Sequence, residues 1–143
     1  MDYVNDLGFG LLSGAAYGAV GLALLAAGYV AIDLLTPGRL TDLIYVERNT
    51  NSAAVVGSGL IAIATIVTTA IVVSEDSLGE GLASAAGYGL LGVVLLVLSF
   101  QVLDRLTPGD LGAIVCDPER HPAVIVTVAS HLAVGAIVAA AIS

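Results

Sequence analysis

The sequence has no lysine and no tryptophan, a single cysteine, and only 11% charged residues across 143 positions. A soluble globular domain keeps about a quarter of its residues charged so that water can wet its surface, and this chain cannot do so. Four arginines stand against twelve acidic residues, a net charge of −8, which excludes recognition of nucleic acid by phosphate neutralisation. A cationic or neutral partner fits that charge better, although solvated acidic loops account for it without any partner. The lone Cys116 excludes an intramolecular disulfide. Basic residues are also missing from Met1 to Asp6, where two carboxylates stand instead. A secretory signal needs a positive region there, so the apolar run that follows reads as a retained membrane span.

What the chain has instead is hydrophobicity: 58% hydrophobic residues and a mean hydropathy of +1.03. Crossing a hydrocarbon layer of about 30 Å takes about 20 mostly apolar residues in a helix, which satisfies its own backbone polar groups. Four stretches qualify, approximately Leu7 to Ile32, Ala53 to Val73, Leu82 to Leu103 and Ala123 to Ile142, and none contains Lys, Arg, Asp or Glu. The alternation of a membrane β-barrel is absent. The fold expected is an all-α integral membrane protein with four transmembrane helices.

Charge divides the connecting segments. Asp33 to Ser52 holds Arg39 and Arg48, Asp104 to Pro122 holds Arg105 and Arg120, and the other polar segments hold no basic residue. Cytoplasmic loops collect Arg and Lys, so both Arg-bearing loops are expected inside, with the termini and the Ser74 to Gly81 turn outside.

The phrase DLLTPGRL at Asp33 to Leu40 returns as DRLTPGDL at Asp104 to Leu111. A shift of 71 lays Leu7–Leu40 over Leu78–Leu111 with 17 of 34 positions identical. The chain therefore divides into a first two-span repeat, residues 1–73, and a second, residues 74–143, forming one membrane domain. Each repeat crosses twice and returns to its starting side, so the two are parallel. The second spans match less well: Glu47-Arg48 recurs as Glu119-Arg120 at a shift of 72.

A short apolar helix, D-x-L-T-P, a brief cytoplasmic helix, a Glu-Arg-Asn element and an Ala-rich second span, all duplicated, resembles the domain of unknown function 350 family of small inner-membrane proteins (YjfL-like). The resemblance covers nearly the whole chain and implies a multi-span membrane protein without an assigned reaction. The Asn-x-Ala element of that family is present as Asn51-Ser52-Ala53, and His121-Pro122-Ala123 replaces it in the second copy.

Proline is tolerated at the first position of a helix, and threonine before it can cap. Thr36-Pro37 and Thr107-Pro108 are thus expected to open short amphipathic helices on the cytoplasmic face, carrying Leu40, Leu43 and Ile44, and Leu111, Ile114 and Val115. Asp33 and Asp104, at the ends of their spans, oppose the helix dipole. Arg39 and Arg105 are the expected compensation, in a polar clasp that fixes the turn.

Gly10, Gly14, Gly18 and Gly21 form a small-residue face on the first span, echoed by Gly81, Ala85, Gly89 and Gly92 on the third. Such faces let helix backbones approach closely, either within the chain or between copies in a homo-oligomer. Tyr17 and Tyr88 occupy equivalent places within those faces, and a buried phenol needs a hydrogen-bond partner. Tyr29 and Phe100 read as interfacial anchors.

His131 breaks the pattern, lying near the middle of the fourth span beside Ser130 and one turn from Thr127. Ionisable residues at that depth are functional candidates, and a neutral histidine bonded to a bundle Ser, Thr or Tyr is the plainer account. Cys116, Asp117, Glu119 and His121 match no zinc spacing. Gly57-Ser58-Gly59 lies within a span and is no phosphate loop. No cofactor or metal is expected, and no catalytic constellation is legible. The first reading is a structural or interaction protein that self-associates in the membrane and offers its cytoplasmic helices to a partner. The second is a small channel or transporter with a polar path through Thr127, Ser130, His131 and Tyr17 or Tyr88. An intramembrane enzyme comes third, because no nucleophile and base pair up.

Overall fold

The computed structural model describes residues 2–74 and 77–143. Met1, and residues 75 and 76 of the expected outer turn, lie outside the described residues. Six helices follow in order: α1 (Asp2–Leu35), α2 (Leu40–Tyr45), α3 (Thr50–Val72), α4 (Leu78–Leu106), α5 (Leu111–Cys116) and α6 (Pro122–Ile142). The protein is an all-α membrane protein, and α1, α3, α4 and α6 are long and apolar enough to cross a bilayer.

The spans run past their apolar limits because helix ends tolerate polar residues once clear of hydrocarbon. At 34 residues and about 1.5 Å per residue, α1 is about 51 Å long, so it must tilt or project beyond a core of about 30 Å. The other long helices open at identifiable caps. Asn49 Oδ1 accepts from Ser52 N at 3.0 Å ahead of α3, and Ser77 Oγ accepts from Glu80 N at 3.2 Å ahead of α4. His121 Nδ1 accepts from Ala123 N at 3.1 Å ahead of α6, where Pro122 occupies the first turn without wasting a donor.

Helix α3 is the centre of the bundle. It packs on α1, α4 and α6, while α1–α4 and α4–α6 contacts close two of the remaining sides. No packed pair joins α1 to α6 among the described residues. The core lies in two clusters along α3. One, at the Arg-bearing end, gathers Ile32, Leu40, Leu43, Val55, Val56, Phe100, Leu111, Val115 and Val124. The other, farther along the spans, gathers Leu24, Ala62, Ile63, Val67 and Leu96. Phe100 is thus a core residue, not the expected interfacial anchor, because its helix turns that position toward α3 and α5. Tyr29, partly buried beside the same cluster, brings its hydroxyl to 3.3 Å from Thr41 Oγ1 of α2.

Helices meet α3 where side chains are smallest. A methyl on Gly135 of α6 would come within 2.8 Å of Ala62 Cα, and one on Gly59 within 2.7 Å of Ile32 Cδ1 and 3.7 Å of His131 Nδ1. Lipid is as apolar as leucine, so this close contact, and not hydrophobic exclusion, supplies the association energy. Gly135→Val should therefore cost about 1–3 kcal/mol by overpacking. Gly57→Ala, whose added methyl meets nothing within 4 Å, should stabilise by about 0.5–1 kcal/mol through the helix backbone. Thermal unfolding in detergent followed by circular dichroism separates the two, and equal losses would contradict the packing at Gly135.

Candidate functional site

Each repeated phrase folds into the same turn. After α1, Thr36 Oγ1 donates back to Ile32 O at 3.2 Å, and Gly38 takes φ +105, a value that glycine alone adopts without cost. Asp33 Oδ1 then accepts from Leu40 N at 2.7 Å. After α4, Thr107 Oγ1 donates to Leu103 O at 2.8 Å, Gly109 takes φ +119, and Asp104 Oδ1 accepts from Leu111 N at 2.8 Å. Threonine and proline therefore close the span and do not open the next helix, which begins three residues later. The expected Asp–Arg clasp is replaced by a carboxylate–amide bond. Each aspartate opposes the dipole at the end of its own span but sits at the positive start of the next helix, so no arginine is needed. Arg105 instead lies in the last turn of α4, where a cation favours the helix end, and Arg39 supplies the backbone carbonyl to which Asp42 N and Leu43 N donate.

The two turns lie at one end of the bundle and are stitched together asymmetrically. Asn49 Nδ2 donates to Cys116 O at 2.8 Å and to Asp117 O at 3.0 Å. Asn51 Nδ2 donates to Asp117 O at 3.0 Å and Glu119 O at 2.6 Å. Ser52 Oγ reaches Val115 O at 2.9 Å, and Cys116 Sγ reaches Pro37 O at 3.0 Å. The orphan carbonyls at the end of α5 are satisfied by the first repeat's Asn-x-Asn-Ser run. Burial, then Asp110, then Glu47, push the Cys116 thiol above its ordinary value.

Within the spans, His131 of α6 is 1% exposed and faces Ser58 of α3, with Nδ1 3.1 Å from Ser58 Oγ. The serine hydroxyl has one hydrogen and gives it to Val55 O at 2.8 Å. With that hydrogen on Val55 O, the serine oxygen accepts from the imidazole, an arrangement that puts the ring proton on Nδ1 and leaves the lone pair on Nε2. Nε2 is buried without a partner among the described residues. Of the other candidates only Thr127, one turn before His131 on the same buried face of α6, lies beside it. Thr127 is buried and donates to Ala123 O at 3.0 Å. Ser130, on another face of α6, lies 2.6 Å from Ser99 Oγ and lines an open groove of about 360 Å³ between α4 and α6. Tyr17 packs its hydroxyl against Gly81 near the opposite end, and Tyr88 is 38% exposed on the outer face of α4.

The match of this chain to known proteins covers the whole arrangement. The family model described as Domain of Unknown Function (DUF350) matches residues 6–142. The chain belongs to this family. It is 40% identical over 140 residues to a UPF0719 transmembrane protein of Mycolicibacterium paratuberculosis, covering 98% of this chain and 93% of that one. A UPF0719 transmembrane protein of Mycobacterium bovis is 35% identical over 134 residues, covering 94% of this chain and 88% of its own length. No solved structure matches.

In this DUF350 chain the two small-residue faces have different fates. Gly81, Ala85, Gly89 and Gly92 are buried; Gly89 lies against Leu24, and a methyl on Gly92 would come within 2.6 Å of Ile66 Cδ1. Gly10, Gly14 and Gly18 are exposed, Gly21 is half-exposed, and a methyl on any of the four would meet nothing within 4 Å. Sequence reasoning singled out His131 but missed Ser58 and Ser99, its own and its neighbour's partners. Serine is common in helices, and only the rotation of α3 and α4 against α6 turns these two inward.

Two outcomes follow from these contacts. Asp33→Ala should cost about 0.5–2 kcal/mol, the usual value of a lost cap, with faster amide hydrogen exchange over residues 40–45; Asp33→Asn, which keeps an accepting oxygen, should lose less. Ser58→Ala strands the His131 Nδ1 proton and should cost about 1–3 kcal/mol. Adding His131→Leu should recover part of that loss, whereas additive losses would argue against the pair.

Proposed function

We propose that the protein is a structural component of the cell membrane that self-associates, with its Arg-bearing turns on the cytoplasmic side and both termini outside. The observation that carries this reading is the open small-residue face of α1, whose duplicate on α4 is buried against neighbouring helices. Small residues at every fourth position lower a helix's propensity and are retained where another helix comes close. The orientation rests on Arg39, Arg48, Arg105 and Arg120, all at one end of the bundle. The reading is non-enzymatic: Ser58 commits its hydroxyl hydrogen to Val55 O, so the His131–Ser58 pair offers no activated nucleophile to a substrate.

Gly14→Leu should reduce the associated fraction in lipid nanodiscs at least tenfold while leaving thermal unfolding in detergent nearly unchanged. Ala85→Leu acts differently, because Ala85 is fully buried inside one chain, and it should lower stability. Unchanged association in Gly14→Leu would sink the role of the α1 face. The single native cysteine tests orientation: a membrane-impermeant maleimide should label Cys116 only after the membrane is opened. Because its thiol ionises above the ordinary range, labelling should be slow at neutral pH and keep rising at pH values where an exposed thiol has levelled off.

A second reading, a small channel or transporter, is favoured by one observation, the buried His131 Nε2 with no partner among the described residues. A lone pair at that depth can take a proton if water reaches it. Proteoliposomes carrying the protein and its His131→Ala variant should then differ in proton or cation flux, and equal flux would remove this reading.

A further inference from the structure

The contact between the two repeats inside one chain is the template for a contact between chains. Helix α4 enters the groove between α1 and α3 with its small-residue face: Gly81 against Tyr17, Gly89 against Leu24, Gly92 against Ile66. Both halves of this joint occur a second time in the same molecule. A shift of 71 carries Gly81, Gly89 and Gly92 to Gly10, Gly18 and Gly21 on α1, each with open space where a side chain would stand. The same shift carries Tyr17 and Leu24 to Tyr88 and Leu95 on α4 and Ile66 to Ile137 on α6, or to Val138 at the shift of 72 that relates Glu47-Arg48 to Glu119-Arg120. Leu95, Ile137 and Val138 line the open groove of about 360 Å³ between α4 and α6, and Tyr88 stands exposed beyond its end.

A closed two-fold arrangement of the repeats would have used both copies of the joint. Here α3 packs on α4, but α1 and α6 form no packed pair among the described residues. The joint is therefore heterologous, with one unused face of each kind on different helices, and such contacts propagate from subunit to subunit into a ring or a row. Because both repeats cross the membrane in the same sense, every added copy stays upright in the bilayer.

We propose that copies of this protein join head to tail, the Gly10–Gly21 face of α1 in one copy entering the α4–α6 groove of the next. This rests on the self-association reading and adds its geometry. The joint between chains lacks one element of the joint within a chain. Asn49, Asn51 and Ser52, which donate to the carbonyls beyond α5, correspond at a shift of 72 to His121, Ala123 and Val124. The intermolecular contact is held by the spans alone, and detergent that replaces lipid on those faces dissociates it.

The test is disulfide crosslinking in native membranes, in a Cys116→Ser background. Gly18→Cys with Leu95→Cys in the same chain should give a ladder of dimers, trimers and higher species, as should Gly10→Cys with Tyr88→Cys. Gly18→Cys alone should give no crosslinked species. Leu24→Cys with Gly89→Cys, which meet within one chain, should crosslink without changing the apparent mass and so reports that the bundle has folded. Dimers from Gly18→Cys alone, without a ladder from the pair, would show a symmetric contact: that overturns head-to-tail joining and leaves self-association intact. Several copies per nanodisc with no ladder from either pair would also overturn the geometry alone. One copy per nanodisc at every protein-to-lipid ratio would overturn both.

Discussion

Close approach to α3 is the constraint on which the rest of the molecule depends. In lipid an apolar helix gains nothing by hiding leucine from its surroundings, so helices associate only where their backbones can come near enough for dense contact. Gly135 lying on Ala62, Gly59 beside Ile32, and Gly92 beneath Ile66 supply that nearness on three sides of α3. Everything else is placed by it. The His131–Ser58 contact exists because α6 is drawn against α3 at those positions, and the groove bearing Ser99 and Ser130 exists because α6 leans on α3 and leaves part of α4 uncovered.

The end of the bundle that carries the arginines follows a different physics, that of backbone groups left over when helices stop. Helices α1 and α4 each end on a threonine that returns its hydroxyl to the preceding turn, a proline with no amide to satisfy, and a glycine that reverses direction. The aspartate then reaches across the turn to the first amide of the next helix. The repeated phrase is thus a self-contained corner, sufficient in both copies without any ion pair. The asymmetric element is the asparagine pair of the first repeat, which spends its donors on carbonyls of the second. Local chemistry makes the corners alike, and long-range hydrogen bonds make the halves differ.

Much of this was legible in the residues. Length and hydropathy located α1, α3, α4 and α6 to within a few residues, since a bilayer permits few alternatives, and the apolar spacing of Leu40 and Leu43 or Leu111 and Val115 located the short helices. The turn chemistry was legible only in part. Aspartate next to two arginines suggested a charge pair, because sequence proximity exposes charges but conceals which backbone amides will point at them. Phe100 was misplaced for a related reason: nearness to the span's end says how deep a residue sits, not which way it faces.

By itself, the sequence determined that the chain lives in a membrane, crosses it four times, and uses one corner twice. Those properties follow from composition, span length and local backbone preference, which act within a few residues. Only the tertiary structure decided that the α4 face is buried while the α1 face is open, that His131 pairs with Ser58 and not with Ser130 or Thr127, and that each aspartate holds an amide. These depend on how far each helix is rotated about its own axis when it meets α3. In so uniformly apolar a chain no hydrophobic stripe marks that rotation, and the fit of small residues against α3 selects it.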